Sequence, residues 1–291
     1  MTYERLKQLK PSTFKRRCGV HRETFHQMTS ILRPHLDRQG KRGGQCKLAV
    51  EDQLLVALEY WREYRSQFHI AETWGISEST VCRIVQKVET LLLQSGKFRL
   101  PGKKQVYQNA YEWTVVLVDV AETPYALGGA KPYERPKKQR QYYSGKKKRH
   151  TLKTQLLIDQ GSGQILCTAF EKGRVHDFRL FKQQRVPLMS DQLCLADKGY
   201  QGIAKLHRHS CTPAKKPRKT ELSTSERQHN RLLAQVRVKV EHVIRRLKIF
   251  RILAERYRIE LRSAVGVRRK RFGLRLNLIA AILNYELILR A

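Results

Sequence analysis

Residues 113–120 read WTVVLVDV, an apolar, β-branched run without alternation, interrupted only by an aspartate near its end. Alternating polar and apolar residues would leave one face in water; an unbroken run suits a strand covered on both faces. The stretch therefore predicts a buried strand that Asp119 closes. Toward the C-terminus, TLKTQLLID (151–159) and GQILCTAF (163–170) flank the turn sequence DQGSG and read as a β-hairpin. HDFRLFKQQ (176–184) reads as a helix, LCLAD (193–197) as a second buried strand closed by Asp197, and 223–250 as a long helix opened by a serine cap signal. Strand, hairpin, helix, strand, helix is the order of an α/β core.

Toward the N-terminus the period changes to helical. In 12–36, Phe14, Val20, Phe25, Met28, Ile31 and Leu32 recur at three- and four-residue steps around a break at Gly19. A polar link, DRQGKRGGQCK (37–47), precedes a second helical stretch at 48–95, where Leu54, Leu55, Leu58 and Trp61 share a face. A boundary falls between Gly96 and Gly102. Within this all-α part, QFHIAETWGISESTVCRIVQ (67–86) fits a helix-turn-helix. Ala71 is small where a second helix would cross, Gly75 suits a turn with positive φ, and Ser77 or Ser79 can cap the second helix. Val81 and Ile84 turn inward, leaving Glu78, Ser79, Thr80 and Arg83 to meet base edges or phosphates. Any helical hairpin with a glycine turn shares much of this pattern, so the charge decides.

That charge is large: 59 Lys and Arg against 25 Asp and Glu give a formal +34 over 291 residues. A folded chain so positive repels itself unless it meets a polyanion, and nucleic acid is the first expectation. An anionic membrane is the second, but no apolar run approaches the roughly 20 residues of a spanning helix, and the opening MTYERLKQLKPSTFKRR has no signal-peptide core. The six cysteines form no C-x-x-C pair, as expected of reduced thiols in a cytosolic protein, and His207, His209 and Cys211 lack a fourth ligand for zinc.

In a chain this poor in acids, two carboxylates ending buried strands stand out. Asp119 and Asp197 on parallel strands would share one rim, where desolvated like charges repel. A divalent cation resolves that conflict, since Mg²⁺ takes carboxylate oxygens and keeps waters and phosphates for its other positions. Strand-end capping or a lysine partner is the alternative for each. Glu241 is the candidate third acid. Val236, Val240, Val243 and Leu247 form the apolar stripe of its helix, and Arg237, Glu241, Arg245 and Lys248 lie on a neighbouring face. The same spacing also suits ordinary i,i+4 salt bridges from Glu241 to Arg237 and Arg245.

With those residues in view, the chain resembles the DDE transposases of bacterial insertion sequences, of the insertion-sequence-five type. The likeness rests on DVAETPY (119–125), ERP (134–136), YYSGKKKRHTLKTQ (142–155), GRVHD (173–177), LADKGYQG (195–202) and the R-x3-E-x6-K set Arg237, Glu241 and Lys248. Ala234 stands where the family's signature tyrosine precedes the arginine. The resemblance implies an RNase H-like, retroviral-integrase-type catalytic core at 101–291 behind a helical DNA-binding domain at 1–100. It implies two Mg²⁺ ions, replaceable by Mn²⁺, on Asp119, Asp197 and Glu241. The activity implied is cleavage of double-stranded DNA at the element's ends and joining of the 3′-OH to target DNA.

Lesser roles follow. Lys146, Lys147, Lys148 and Arg149 would clamp phosphates, as would Arg237, Arg245 and Lys248, while Ser79, Thr80 and Arg83 would dock the recognition helix. Tyr142, Tyr143 and Tyr200 would stack on unpaired bases or pack beneath the loop. Glu122 and Asp177 would support the metal site or form ordinary ion pairs. A basic C-terminal amphipathic helix is expected to close the core. Pairing of two DNA ends suggests a dimer or larger oligomer on DNA, in the cytoplasm with the nucleoid. Two rival readings are a DNA-binding protein without chemistry and an RNA-cleaving relative of the same fold.

Overall fold

The sequence run that decides the core becomes the strand β1 (Val115–Pro124), with Val116, Leu117 and Val118 wholly buried. The computed structural model describes residues 2–37, 46–125, 139–217, 220–258 and 265–290. The glycine-rich part of the link at 38–45 and the ERP block at 134–136 lie outside them. The chain divides into two compact units, one formed by 1–99, 247–255 and 274–291, the other by 100–246 and 256–273.

The first unit opens with α1 (Tyr3–Leu6), α2 (Pro11–Cys18), α3 (Arg22–Leu36), α4 (Val50–Arg62), α5 (Gln67–Trp74) and α6 (Glu78–Gln94). The two long stretches read as helical are thus five of these helices, broken where the chain must turn. α4 is buried on almost every side, with Leu54, Val56, Ala57 and Trp61 at the centre. The helix-turn-helix is α5 and α6. Ser66 and Ser77 cap them, each accepting a hydrogen bond from the backbone N–H three residues on, His69 and Thr80, at 3.2 Å. Gly75 ends α5 at φ +61°, a conformation that a β-carbon would strain. Ala71, Val81 and Ile84 face inward as the sequence indicates.

The second unit contains α7 (Gly102–Gln108), β1, β2 (Tyr143–Ser144), β3 (Arg149–Asp159), β4 (Ile165–Lys172), α8 (Asp177–Gln184), β5 (Leu193–Ala196), β6 (Ser210–Cys211) and most of α9 (Thr224–Lys248). The main sheet runs β4-β3-β1-β5-β6, with β2 paired to the start of β3. β1, β3 and β4 are antiparallel neighbours; β5 is parallel to β1 and β6 to β5. Three antiparallel strands followed by two parallel ones make this an RNase H-like sheet. The DQGSG turn closes the hairpin through Asp159, whose carboxylate accepts both the N–H and the hydroxyl of Ser162 at 2.6 Å. One face of the sheet carries Val116, Val118, Leu157, Cys194 and Ala196, packed with Val106, Leu166, Phe181, Tyr200 and Ile203.

The last helix, α10 (Val265–Ile288), is shared between the units. Its residues from 274 onward join the N-terminal helices, whereas the sequence reading placed all of 101–291 in one domain. The reason is packing. Arg275 donates to buried Glu89 at 2.6 Å, Tyr285 meets Phe98 edge-on, and Glu286 accepts the His21 N–H at 2.6 Å. Core closure by the C-terminal helix therefore holds, but the core it closes at that end is the helical one. All six cysteines are free, and burial pushes the Cys18 and Cys194 thiols up to about 12. Among the described residues no helix is long and apolar enough to cross a membrane.

Candidate active site and nucleic-acid interface

Asp119 lies mid-strand rather than at the end of β1. β3 pairs with β1 as far as Pro124, opposite Thr151, and so carries the strand past the aspartate. The parallel neighbour β5 is the strand that stops. Val118 pairs with Ala196, so Asp119 and Asp197 are the next residues on adjacent strands, about 4.8 Å apart in backbone terms. Asp197 leaves the sheet and caps the turn that follows, its Oδ1 accepting the Gly199 N–H at 2.8 Å. Two carboxylates thus meet where β5 ends.

Of the two, Asp119 carries the marked electrostatic shift. Burial raises the Asp119 pKa above the usual carboxylate value, and the charge of Asp197 adds to the rise. A 2.7 Å hydrogen bond from the Val120 N–H and the charges of Arg237 and Lys146 pull the other way without cancelling it. Arg237 of α9 reaches Asp119 Oδ2 at 3.5 Å, the outer limit of a hydrogen bond, and its buried Nε has no partner. Neighbouring carboxylate oxygens in partial burial are donors that a divalent cation fits.

The third acid is not gathered in. Glu241 lies on the exposed side of α9, one turn beyond Arg237, and Arg237 occupies the place beside Asp119. Among the described residues no three His, Cys, Asp or Glu side chains converge to hold a metal ion. The structure therefore brings Asp119 and Asp197 together and leaves Glu241 apart. The helical salt bridge from Arg237 to Glu241 is replaced by the pair with Asp119. At 207–211, the minor zinc possibility, His207 and His209 each hydrogen-bond a carbonyl, of Gln192 and Asp191, through one ring nitrogen.

Around the pair lies a set of buried polar contacts that sequence reasoning missed. Lys153, in the middle of β3, donates to Asp177 Oδ1 and to the Val175 carbonyl, both at 2.7 Å. Asp177 is thereby an ion-pair partner, and Glu122 accepts a 2.8 Å hydrogen bond from Thr151. Gly199 sits between Asp177 and Asp197: a β-carbon there would lie 3.1 Å from one carboxylate and 3.0 Å from the other. Tyr200 is buried against Phe181, with its hydroxyl 3.3 Å from Gln155 Oε1. Burial pushes its pKa well above the ordinary value, and Asp177, Asp119 and Asp197 add to the shift. Tyr200 therefore cannot stack on bases, nor can Tyr142, which is buried and stacked on Tyr125 at 5.0 Å. Tyr143 alone of the three is exposed. The signal available in sequence was Lys153, a charge inside the apolar stretch TLKTQLLID.

The expected DNA-binding side chains are mostly on the surface. Lys146, Lys147, Lys148 and Arg149 form the exposed tip joining β2 to β3. On α6, Ser79 and Arg83 are exposed and Thr80 is half-buried; Arg83 donates to Thr80 Oγ1 and to the Ser79 carbonyl at 3.3 Å. Arg245 and Lys248 are exposed along α9.

Residues 129–283 match the family described as DDE superfamily endonuclease, and 46–98 match its helix-turn-helix. Asp197 and Glu241 fall inside the first match, and Asp119 just ahead of it. A protein of Microchaete diplosiphon assigned as the transposase of insertion sequence element IS702 is 48% identical over 292 aligned positions, covering all of both chains. One of Streptomyces albus G, assigned to element IS112, is 23% identical over 84% of this chain and 87% of its own. Among solved structures, the Mos1 mariner paired end complex with Mn overlaps 91% of this chain and 83% of its own at 14% identity, with a TM-score of 0.22.

Proposed function

We propose, because this chain belongs to the DDE superfamily endonucleases and is an insertion-sequence transposase, that it cuts the ends of its element and joins the freed 3′-OH to target DNA by cation-assisted phosphoryl transfer. The observation that carries the reading is the side-by-side placement of Asp119 and Asp197 where β5 ends. We assign Asp119 and Asp197 to hold divalent cations, Mg²⁺ before others; Glu241, which stands apart from them here, would become the third ligand only by coming in from α9 when cations and DNA bind. When bound, such ions supply Lewis acidity at both the entering and the leaving oxygen of an in-line displacement.

The chain's own residues do the rest. Arg237, held beside Asp119 only by a long contact through its outer guanidinium nitrogen, would take a non-bridging phosphate oxygen. Releasing Asp119 to a cation and Arg237 to a phosphate replaces one long ion pair with two charge-matched contacts. Lys146, Lys147, Lys148 and Arg149 neutralise backbone phosphates from the β2–β3 tip, and Arg245 and Lys248 do so along α9. α6 enters the major groove at the element ends with Ser79, Thr80 and Arg83 at its N-terminal part. Cutting two ends calls for at least a dimer on DNA, working where the nucleoid is.

The test is strand cleavage of a duplex carrying the element's end, with Mg²⁺, by wild-type protein and by Asp197→Ala. The variant is expected to lose at least a hundredfold in rate while still binding the duplex; equal cutting by both removes the assignment. One observation favours a second reading, DNA binding without chemistry: Glu241 stands outside the acidic pair. Wild-type protein that binds ends specifically yet never nicks them in Mg²⁺ or Mn²⁺ would establish it.

A further inference from the structure

Beyond the acidic pair, the second unit has a hollow of about 580 Å³ lined by Gln141, Glu171, Lys172, Arg174, Val175, His176, Arg179 and Gln183. Three of its lining residues are Lys or Arg, two are amides, and one is an acid. Lys172 is engaged, donating to Gln141 Oε1 at 2.6 Å and lying over the Tyr142 ring at 5.9 Å. Arg174, His176 and Arg179 are exposed and, among the described residues, their side chains have no hydrogen bond or ion pair.

The wall that presents them is rigidly held. A β-carbon on Gly173 would come within 2.5 Å of the Tyr142 carbonyl and 2.3 Å of Thr151 Oγ1, so only glycine allows the chain to lie this close. The Gly173 N–H donates to the Thr151 carbonyl at 2.9 Å, and that of Arg174 to Gln141 at 3.2 Å. Two and four residues beyond Gly173, Lys153 grips the Val175 carbonyl and Asp177. Arg174 and His176 therefore alternate with three pinned positions, and Arg179 follows one turn later on α8. An ordinary solvated charge run has neither pins nor a concavity.

We infer that this hollow is a phosphodiester-binding site for the DNA on which the protein acts, distinct from the β2–β3 tip and from α6. It rests on the reading of the protein as a DNA-processing enzyme only for the choice of ligand. The pinned segment ends at Asp177, whose carboxylate abuts Gly199 next to Asp197, so the wall of the hollow is continuous in the chain with a residue that borders the acidic pair. Two unpaired guanidiniums in a concave, amide-lined wall suit phosphate oxygens, which accept bidentate hydrogen bonds.

The test uses the full chain and its Arg174→Gln/Arg179→Gln variant, each titrated with salt on an element-end duplex and on an unrelated duplex. Each lost phosphate contact flattens the plot of log K against log salt by about 0.9, so the double variant is expected to show a slope shallower by about 2. A change confined to the end duplex assigns the hollow to DNA flanking the cut; a change on both assigns it to target-like DNA. Arg174→Lys/Arg179→Lys is expected to restore the slope. Slopes equal to wild type on both duplexes overturn the inference. Should the double variant melt early, the two single variants carry the same test at half the effect. Wild-type failure to cut DNA counts against the enzymatic reading alone, because the slopes remain readable.

Discussion

Asp119 is a half-buried carboxylate whose charge is only partly met, and its chemistry follows from that. A proton and a cation compete for it, and burial has raised the pKa at which the proton wins. As pH falls through that raised value, cation affinity should drop by up to tenfold per pH unit, beginning above the range of an ordinary carboxylate. Mn²⁺ titration of wild-type protein across pH 4 to 7 checks this; an affinity flat to pH 4 contradicts it. Lys153 gives a second expectation. It and Asp177 are a largely buried pair, 10% and 17% exposed at the side chain. Removing one partner strands the other's charge, so Lys153→Ala should cost about 3–5 kcal/mol in urea unfolding, while Lys153→Met/Asp177→Leu should recover much of it. The pair of aspartates was legible in sequence because acids are scarce and these two end apolar runs. Lys153's partner was not, since nothing in TLKTQLLID says which distant carboxylate a buried lysine will meet.

At the scale of elements, legibility followed length and turn chemistry. β1 was readable from eight residues without alternation, the hairpin from DQGSG, and α5 and α6 from Ala71, Gly75 and the serine cap of the second helix. β2 and β6, two residues each, are too short to carry a period, and α7 buries only Val106. On α9 the spacing set Arg237 and Glu241 on one face, but helical spacing does not say which of them docks against the sheet. The structure puts Arg237 there. The recognition unit should be sensitive to its caps: Ser77→Ala removes the side-chain acceptor for Thr80 and is expected to cost about 1 kcal/mol of stability. Thermal or urea unfolding of the full chain reads this, and an unchanged midpoint would show that α6 does not depend on its cap.

At the scale of the whole molecule, the helical unit is assembled from chain segments far apart in sequence. Leu276, Leu278, Ile279 and Ile282 are each at most 3% exposed. At about 1.5–3 kcal/mol apiece they match the roughly 5–15 kcal/mol that keeps a typical domain folded. Residues 1–99 expressed alone should therefore fail to give a cooperative melt, and adding a peptide of 274–291 should restore helicity; a cooperatively folded 1–99 fragment would contradict that. Sequence could not show this, because an apolar helix does not name the core it will enter. Asp119 and Asp197 are expected to act as one chemical centre. Cleavage rates on an element-end duplex in Mg²⁺ for Asp119→Asn, Asp197→Asn and the double variant test it most directly. Groups that act as a unit lose their effect together, so each single variant should fall by at least about a hundredfold and the double variant no further. Near-wild-type cutting by either single variant, or losses that multiply in the double, would show that the two aspartates do not form one centre.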